Sequence, residues 1–159
     1  MGTNNQSLLD DPLYLGWPER RLRGREYEDI VDEFVTAART VFPGVVIQWK
    51  DFRKDNALHI MDRYRHQAPS FNDDIQGTGA DALACILAAD RITGRKTAAN
   101  KVLIYGAGAA GLGIAGRIKN DMQLAGARGA DLVRGVLVMD SRGVISDGRD
   151  LDAYKKELA

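Results

Sequence analysis

Apolar residues at helical spacing predict an amphipathic helix over residues 25–42, and Pro43 and Gly44 end it. Its apolar positions are Ile30, Val31, Phe34, Val35, Ala38, Val41 and Phe42. The short, β-branched run 45–49 predicts a buried strand. A second helix is predicted over about residues 55–66. The first part of the chain is therefore expected to have a helix–strand–helix order.

The second half alternates between helical and strand patterns. The predicted elements are an Ala- and Leu-rich helix over 75–92, a strand at 101–105, a helix ending near residue 122, a linker at 123–134 and a strand at 136–139. A strand, a helix and another strand in this order predict a β–α–β unit with a parallel sheet. The fold class is therefore predicted to be α/β.

Each half contains too few predicted strands for a complete domain. A doubly wound sheet has about five or six strands, whereas the second half offers two. We therefore expect the chain to be the middle of something larger, divided into residues 1–70 and 71–159.

Charge and composition exclude several partners. Lys and Arg together number 22, as do Asp and Glu, so the formal net charge of zero gives no electrostatic reason to expect nucleic acid or an anionic membrane. No apolar stretch approaches the ~20 residues of a membrane span. The single cysteine, Cys85, lies in an apolar run and is predicted to be a buried thiol. With no secretory signal pattern, we expect a soluble protein of the cytoplasm, or of an organellar matrix.

A glycine-rich loop follows the predicted strand 101–105 and opens a helix. In Gly106-x-Gly108-x-x-Gly111, the three glycines permit a tight turn, a close approach to a pyrophosphate and close helix–strand packing. The amino end of the following helix would face the phosphates with its unpaired N–H groups. The predicted dinucleotide-binding residues of the loop are Gly106, Ala107, Gly108, Ala109, Ala110 and Gly111.

The strand 136–139 ends at an acid, Asp140, which could accept hydrogen bonds from the adenosine ribose and so favour NAD. The next two residues, Ser141 and Arg142, could instead receive a 2′-phosphate. Lys155 could approach the same phosphate, although we expect it to be a solvated surface lysine. The sequence leaves the choice between NAD and NADP open.

Acidic residues cluster near the start of the helix 75–92. Asp73 and Asp74 precede it within the stretch Phe71–Thr78, and Asp51 lies upstream. A lone aspartate there could simply cap the helix. Three carboxylates together, however, are the hard oxygen ligands that Mg²⁺ or Mn²⁺ prefers.

Several motifs, in order, resemble the malic enzyme family. Phe71–Thr78 reads Phe-Asn-Asp-Asp-Ile-Gln-Gly-Thr and resembles that family's signature, and the loop 106–115 is similar to its cofactor loop. The resemblance extends from Gly2 to about Tyr154 and thus covers essentially the whole chain. It implies that residues 1–70 are the end of an α/β substrate domain, and that residues 71–159 begin an incomplete Rossmann-type NAD(P)-binding domain.

The resemblance also implies an activity and an assembly. Members of the family oxidise malate with NAD or NADP and release pyruvate and CO₂ with the help of Mg²⁺ or Mn²⁺. Asp51 and Asp74 then correspond to metal ligands, and Asp73 to the residue that assists the catalytic lysine. The family's general base lysine and general acid tyrosine lie upstream of this segment, so the isolated chain is expected to be inactive. At full length a homo-oligomer is expected.

Lys50 departs from the family pattern, which has a third acidic ligand at this position. A protonated lysine cannot bind a cation and would repel one. We expect Asp51, Asp73 and Asp74 to converge, with Lys50 either among them or turned away. Replacing Lys50 with Glu in the full-length protein is then expected to tighten divalent metal binding.

Two other functions remain open. A malolactic enzyme shares these motifs but makes lactate without net cofactor turnover. A non-catalytic nucleotide-binding remnant is the alternative from another class, and Lys50 favours it.

Overall fold

The computed structural model describes residues 2–158 and divides the chain into two units, Met1–Val45 and Val46–Ala159. The first unit contains a short helix α1 (Gln6–Leu9) and a long helix α2 (Arg25–Val41). Val31 and Val35 lie one helical turn apart on α2 and are buried. The predicted helix 25–42 is confirmed to within one residue. The predicted domain boundary at 70/71 concerns a larger protein and stays a prediction.

The second unit begins with two parallel strands joined by a helix. Strand β1 (Ile47–Trp49) leads to helix α3 (Lys54–Tyr64) and then to strand β2 (Ser70–Asn72). β1 pairs with β2 in the register Trp49↔Asn72. Strand β2 was not predicted, because three residues directly after Pro69 are too few to show an alternating pattern.

The predicted helix 75–92 begins as one π-helical turn, Asp73–Gly77, and continues as α4 (Thr78–Thr93). Asn72 caps this start, since its side-chain oxygen accepts a hydrogen bond from the Ile75 N–H at 2.9 Å. Gly94 ends α4 in the left-handed conformation, with φ of 69°.

The remaining strands form a second sheet in the order β3–β4–β5. Its elements are β3 (Val102–Tyr105), α5 (Ala109–Leu124), α6 (Gly129–Gly135), β4 (Val136–Asp140) and β5 (Gly143–Val144), and α7 (Ala153–Lys156) follows. β3 and β4 are parallel, so the predicted β–α–β unit and the α/β fold class are confirmed. The predicted linker 123–134 is wrong in part because it contains most of α6. The antiparallel strand β5 was also missed.

The core of the second unit lies on one side of the β3–β4–β5 sheet. Helix α5 supplies its centre through fully buried apolar side chains, among them Ala115, Ile118 and Met122. Leu103 and Tyr105 of β3 point to the opposite side, where Tyr105 is 88% exposed. One face of this sheet is therefore packed, and apolar side chains on the other face remain exposed within this chain.

Cys85 contradicts its prediction, because the thiol is exposed. Helix α4 buries the side that carries Gly79, Leu83 and Asp90. Cys85 follows Leu83 by two positions, or about 200° around the helix, and therefore faces outward. Among residues 2–158 no helix is long and apolar enough to cross a membrane.

Candidate functional site

The glycine loop joins β3 to α5 at the carboxyl end of the second sheet. Gly106 adopts φ of 133°, which favours glycine, and its N–H donates to the Met139 carbonyl of β4 at 2.9 Å. A Cβ at Gly111 would collide with the carbonyl oxygen of Gly106. A Cβ at Gly108 would meet nothing within 4 Å. The first and third glycines are thus needed for the turn itself, and the second leaves open space beside the backbone.

The alanines of the loop contribute differently. Ala107 and Ala109 pack against the core of the unit, whereas Ala110 is half-buried in the first turn of α5. The first N–H groups of any helix lack partners within that helix, and α5 begins at Ala109. The loop therefore places a helix amino end beside open space, an arrangement that suits a phosphate group.

Asp140 ends β4, the strand adjacent to the glycine loop, and is ringed by donors. Its carboxylate accepts hydrogen bonds from Arg149 Nη2 at 2.8 and 2.9 Å, from Lys155 Nζ at 2.9 Å and from the Arg142 backbone N–H at 2.9 Å. Only 10% of its side chain is exposed. The hydrogen bonds from Lys155 and then Arg149 hold the pKa of Asp140 well below its usual range.

The two residues after Asp140, Ser141 and Arg142, are exposed, and the side chain of Arg142 contacts the loop that follows. Arg142 Nη2 approaches the Asp150 carbonyl at 3.3 Å, and no described contact involves the Ser141 side chain. Lys155 is not the solvated lysine that we expected, because its side chain is 16% exposed and pairs with Asp140. Arg149 was missed altogether, since no spacing rule connects it with an acid nine residues upstream.

The acidic residues meet because of strand register. Trp49 and Asn72 pair as the last residues of the parallel strands β1 and β2, so the segments that follow them leave the sheet side by side. The Asp51 N–H donates to Asp74 Oδ2 at 2.7 Å. Asp51 has φ of 62°, a left-handed conformation that is uncommon for a residue other than glycine.

Lys50 lies among the three carboxylates, Asp51, Asp73 and Asp74, which we call the acidic cluster. Its Nζ is 3.4 Å from Asp51 Oδ1, 3.6 Å from Asp73 Oδ2 and 3.4 Å from Asp74 Oδ1. The expected convergence of these residues is therefore confirmed, with Lys50 pointing inward. The hydrogen bond to Asp74 and the charge of Asp51 raise the pKa of Lys50, which favours its protonated form.

The acidic cluster, with Lys50 inside it, does not fit a divalent cation. An ammonium group stands within 3.6 Å of an oxygen of each carboxylate, and both oxygens of Asp74 already accept hydrogen bonds. Within residues 2–158 no group of three or more His, Cys, Asp or Glu side chains is arranged to hold a metal ion. The assignment of Asp51 and Asp74 as metal ligands, and of Asp73 as an assisting residue, stays a prediction.

A cavity of about 880 Å³ lies between α3, α4 and α5. It is lined by both polar and apolar side chains, including Met61, Arg65, Gln76, Arg117 and Tyr154. The Tyr154 hydroxyl donates to Asp62 at its edge, at 3.3 Å. None of the catalytic, cofactor-binding or metal-binding residues predicted from the sequence lines this cavity.

Comparison with known proteins agrees with this geometry. The family model "Malic enzyme, N-terminal domain" matches residues 1–65, and the model "Malic enzyme, NAD binding domain" matches residues 75–159. The chain is 44% identical over 146 residues to an NAD-dependent malic enzyme of Sodalis glossinidius, covering 92% of this chain and 26% of that protein. It is 43% identical over 146 residues to a malolactic enzyme of Lactiplantibacillus plantarum, covering 92% and 27%.

A solved structure gives the same result at the level of the fold. The NAD-dependent malic enzyme of Thermotoga maritima aligns with a TM-score of 0.66 and 26% identity, over 87% of this chain and 35% of that chain. The chain spans about a quarter of the length of the curated relatives above. Since the NAD-binding family model alone matches residues 75–159, more than half of the 159 residues, the chain belongs to the malic enzyme family.

Proposed function

We infer that this chain is the part of a malate oxidoreductase that receives NAD or NADP, in a reaction that oxidises malate and releases pyruvate and CO₂. The glycine loop carries this proposal. It places the α5 amino end beside open space at Gly108 and lies within the residues matched by the NAD-binding family model.

The chain's own residues would position the dinucleotide. The N–H groups at the start of α5 would bind the pyrophosphate, and Gly108 would allow it to approach the backbone. The ribose would lie toward Asp140, because β4 is adjacent to β3 and Gly106 is bonded to its end. The nicotinamide supplies hydride acceptance when the cofactor is bound.

The choice between NAD and NADP depends on Asp140. The relatives named NAD-dependent malic enzymes favour NAD. The four hydrogen bonds that Asp140 already accepts favour NADP, because a ribose hydroxyl would have to compete with Arg149 and Lys155 for the same oxygens. A 2′-phosphate would instead be attracted by those two cations.

The resemblance implies the use of Mg²⁺ or Mn²⁺, but the acidic cluster with Lys50 inside it does not fit such a metal ion. Lys50 takes the position among the carboxylates that a cation would need. For this reason the proposal assigns no step of the reaction to a metal ion in this chain.

The proposal is tested by measuring NADH and NADPH binding to the chain through the fluorescence of the reduced nicotinamide. Gly108→Ala is expected to weaken binding because its methyl group would occupy the space beside the pyrophosphate. Gly116→Ala is the matched control, since a Cβ there also meets nothing within 4 Å but lies more than two turns further along α5. Equal binding by wild type and Gly108→Ala would contradict a phosphate site at this loop.

A malolactic activity is the second candidate, because the relative from Lactiplantibacillus plantarum is almost as similar as the first. The two activities differ in their products. Accumulation of free NADH or NADPH during malate turnover by the longer protein would support the oxidoreductase, and lactate without free reduced cofactor would support the malolactic reaction.

A further inference from the structure

We propose that the Lys50 ammonium is the built-in counter-cation of the acidic cluster and that it excludes divalent metal ions from this position. The proposal concerns how this chain departs from the metal site that its family implies. It does not depend on the proposed malate oxidation.

The Lys50 ammonium lies at nearly equal distances from all three carboxylates of the acidic cluster. The distances from Nζ to the three carboxylates differ by only 0.2 Å, from 3.4 to 3.6 Å, so the ammonium is shared among Asp51, Asp73 and Asp74. An amine with three N–H donors can serve three acceptors at once. A small divalent cation bound by the same oxygens would have to lie close to the ammonium.

Two positive groups a few ångströms apart repel each other, and a dication doubles that repulsion. Lys50 would have to swing out before a metal ion could bind, and its half-exposed side chain leaves room for this movement. Binding of a metal ion would then break the three ion pairs of Lys50, and this loss weakens metal binding.

Both carboxylate oxygens of Asp74 accept a hydrogen bond from this chain. Asp74 Oδ2 is already taken by the Asp51 N–H at 2.7 Å, an arrangement fixed by the parallel register of β1 and β2. The ammonium is bonded to the other oxygen, Oδ1, at 3.4 Å. A metal ion that used the remaining lone pair of Asp74 Oδ1 would therefore bind beside the ammonium unless Lys50 moved away.

The test is a titration of the 159-residue chain with MnCl₂ alone, read by calorimetry and by the electron paramagnetic resonance of free Mn²⁺. Lys50→Met removes the charge and keeps a side chain of similar length. We expect this variant to bind Mn²⁺ roughly tenfold more tightly than wild type or better, because the ammonium no longer repels the dication. Lys50→Glu should bind more tightly still.

Lys54→Met is the matched control. Lys54 pairs with Asp152 at 2.8 Å and with Asp55 at 3.7 Å, so its removal also costs ion pairs but leaves the acidic cluster intact. This variant should bind Mn²⁺ no better than wild type. Equal Mn²⁺ affinity in wild type and Lys50→Met would overturn the proposal.

Wild type and Asp74→Asn together decide the question if the Lys50 variants fail to fold. A saturable Mn²⁺ site in wild type that disappears in Asp74→Asn would refute exclusion by Lys50, and the absence of such a site supports it. Because neither malate nor dinucleotide is present, failure of this inference appears as Mn²⁺ binding. Failure of the proposed function appears separately, as loss of NADH and NADPH binding.

Discussion

The Asp140 carboxylate already accepts four hydrogen bonds from neighbouring groups of this chain. A carboxylate that binds a ribose needs an oxygen that can accept from a ribose hydroxyl instead. Arg149 donates to both of its oxygens, and Lys155 and the Arg142 N–H supply the rest. The same contacts that occupy the carboxylate also fasten the segment after β4 to the end of that strand. Asp140 therefore has a structural effect in this chain in addition to its predicted contact with the cofactor.

Asp140→Asn is expected to destabilise the chain at neutral pH, by an amount that begins to shrink below about pH 4. The carboxyl group has a lowered pKa in the folded state, so it stabilises the fold above its ordinary pKa of about 4. That contribution is lost as the pH falls from about 4 toward the lowered pKa, where the folded-state carboxylate also becomes protonated. Thermal unfolding of both proteins between pH 7 and pH 3 measures the effect.

Asp147→Asn is the control for this pH series, because Asp147 is an exposed loop carboxylate. Its melting temperature should follow wild type throughout. A stability gap between wild type and Asp140→Asn that stays constant down to pH 3 would contradict the assigned pKa direction.

Lys155→Met is expected to lower the affinity for NADPH by roughly tenfold, because a hydrogen bond to a charged group contributes about 1.5–3 kcal/mol. NADH affinity should change little or rise, since the substitution frees one oxygen of Asp140 for a ribose hydroxyl. Lys156→Met, at the adjacent and exposed lysine, should leave both affinities unchanged. Equal losses of NADH and NADPH affinity in Lys155→Met would contradict a 2′-phosphate contact, as measured by fluorescence titration.

Among the secondary-structure elements, the long periodic segments were predicted well and the short ones were not. Helix α2 and the β3–loop–α5–β4 unit follow from apolar periodicity and glycine placement within a few residues. Strands β2 and β5 have three and two residues and form only because a neighbouring strand offers its edge. Pairing of this kind is a tertiary effect that local sequence does not encode.

Gly111→Ala is expected to destabilise the chain by about 3 kcal/mol, because its methyl group would overlap the backbone carbonyl of Gly106, which cannot move aside as a side chain would. The control, Gly116→Ala, should stabilise it by about 0.5–1 kcal/mol through better helix propensity in the middle of α5. Urea denaturation followed by circular dichroism compares the three proteins. A destabilisation of Gly111→Ala below about 1 kcal/mol would mean that the loop relaxes, and that close packing at this glycine is unnecessary.

In the second unit, one face of the β3–β4–β5 sheet lacks the helices that would cover it in a doubly wound fold. Parallel sheets normally carry helices on both faces, whereas here Leu103 and Tyr105 are exposed. This agrees with a chain that matches about a quarter of its curated relatives. The sequence predicted that the strands were too few, but the exposed face follows only from knowing which side α5 covers.

One part of the candidate site could be predicted from the sequence and another part could not. The glycine loop could be found because its function depends on backbone conformation, which glycine spacing encodes directly. The network of Asp140, Arg149 and Lys155 could not, because it is formed by side chains that meet only after the segment following β4 folds back. The inward position of Lys50 is one of two alternatives that the sequence leaves open, and it is shown by the distances from its Nζ to the three carboxylates.

The 159-residue chain is expected to bind NADH but not to oxidise malate. Hydride transfer from malate requires a base to accept the proton of its hydroxyl group. The resemblance places the family's base and acid outside this chain. Lys50 cannot replace the base, because three carboxylates surround it and its raised pKa keeps it protonated.

Absorbance of reduced cofactor, recorded with L-malate and NAD⁺ or NADP⁺, should therefore stay at the level without enzyme. Fluorescence titration with NADH in the same preparation shows that the cofactor site is folded. Reduced cofactor that forms only when malate is added would mean that a residue of this chain acts as the base, and Lys50→Met would then show whether that residue is Lys50.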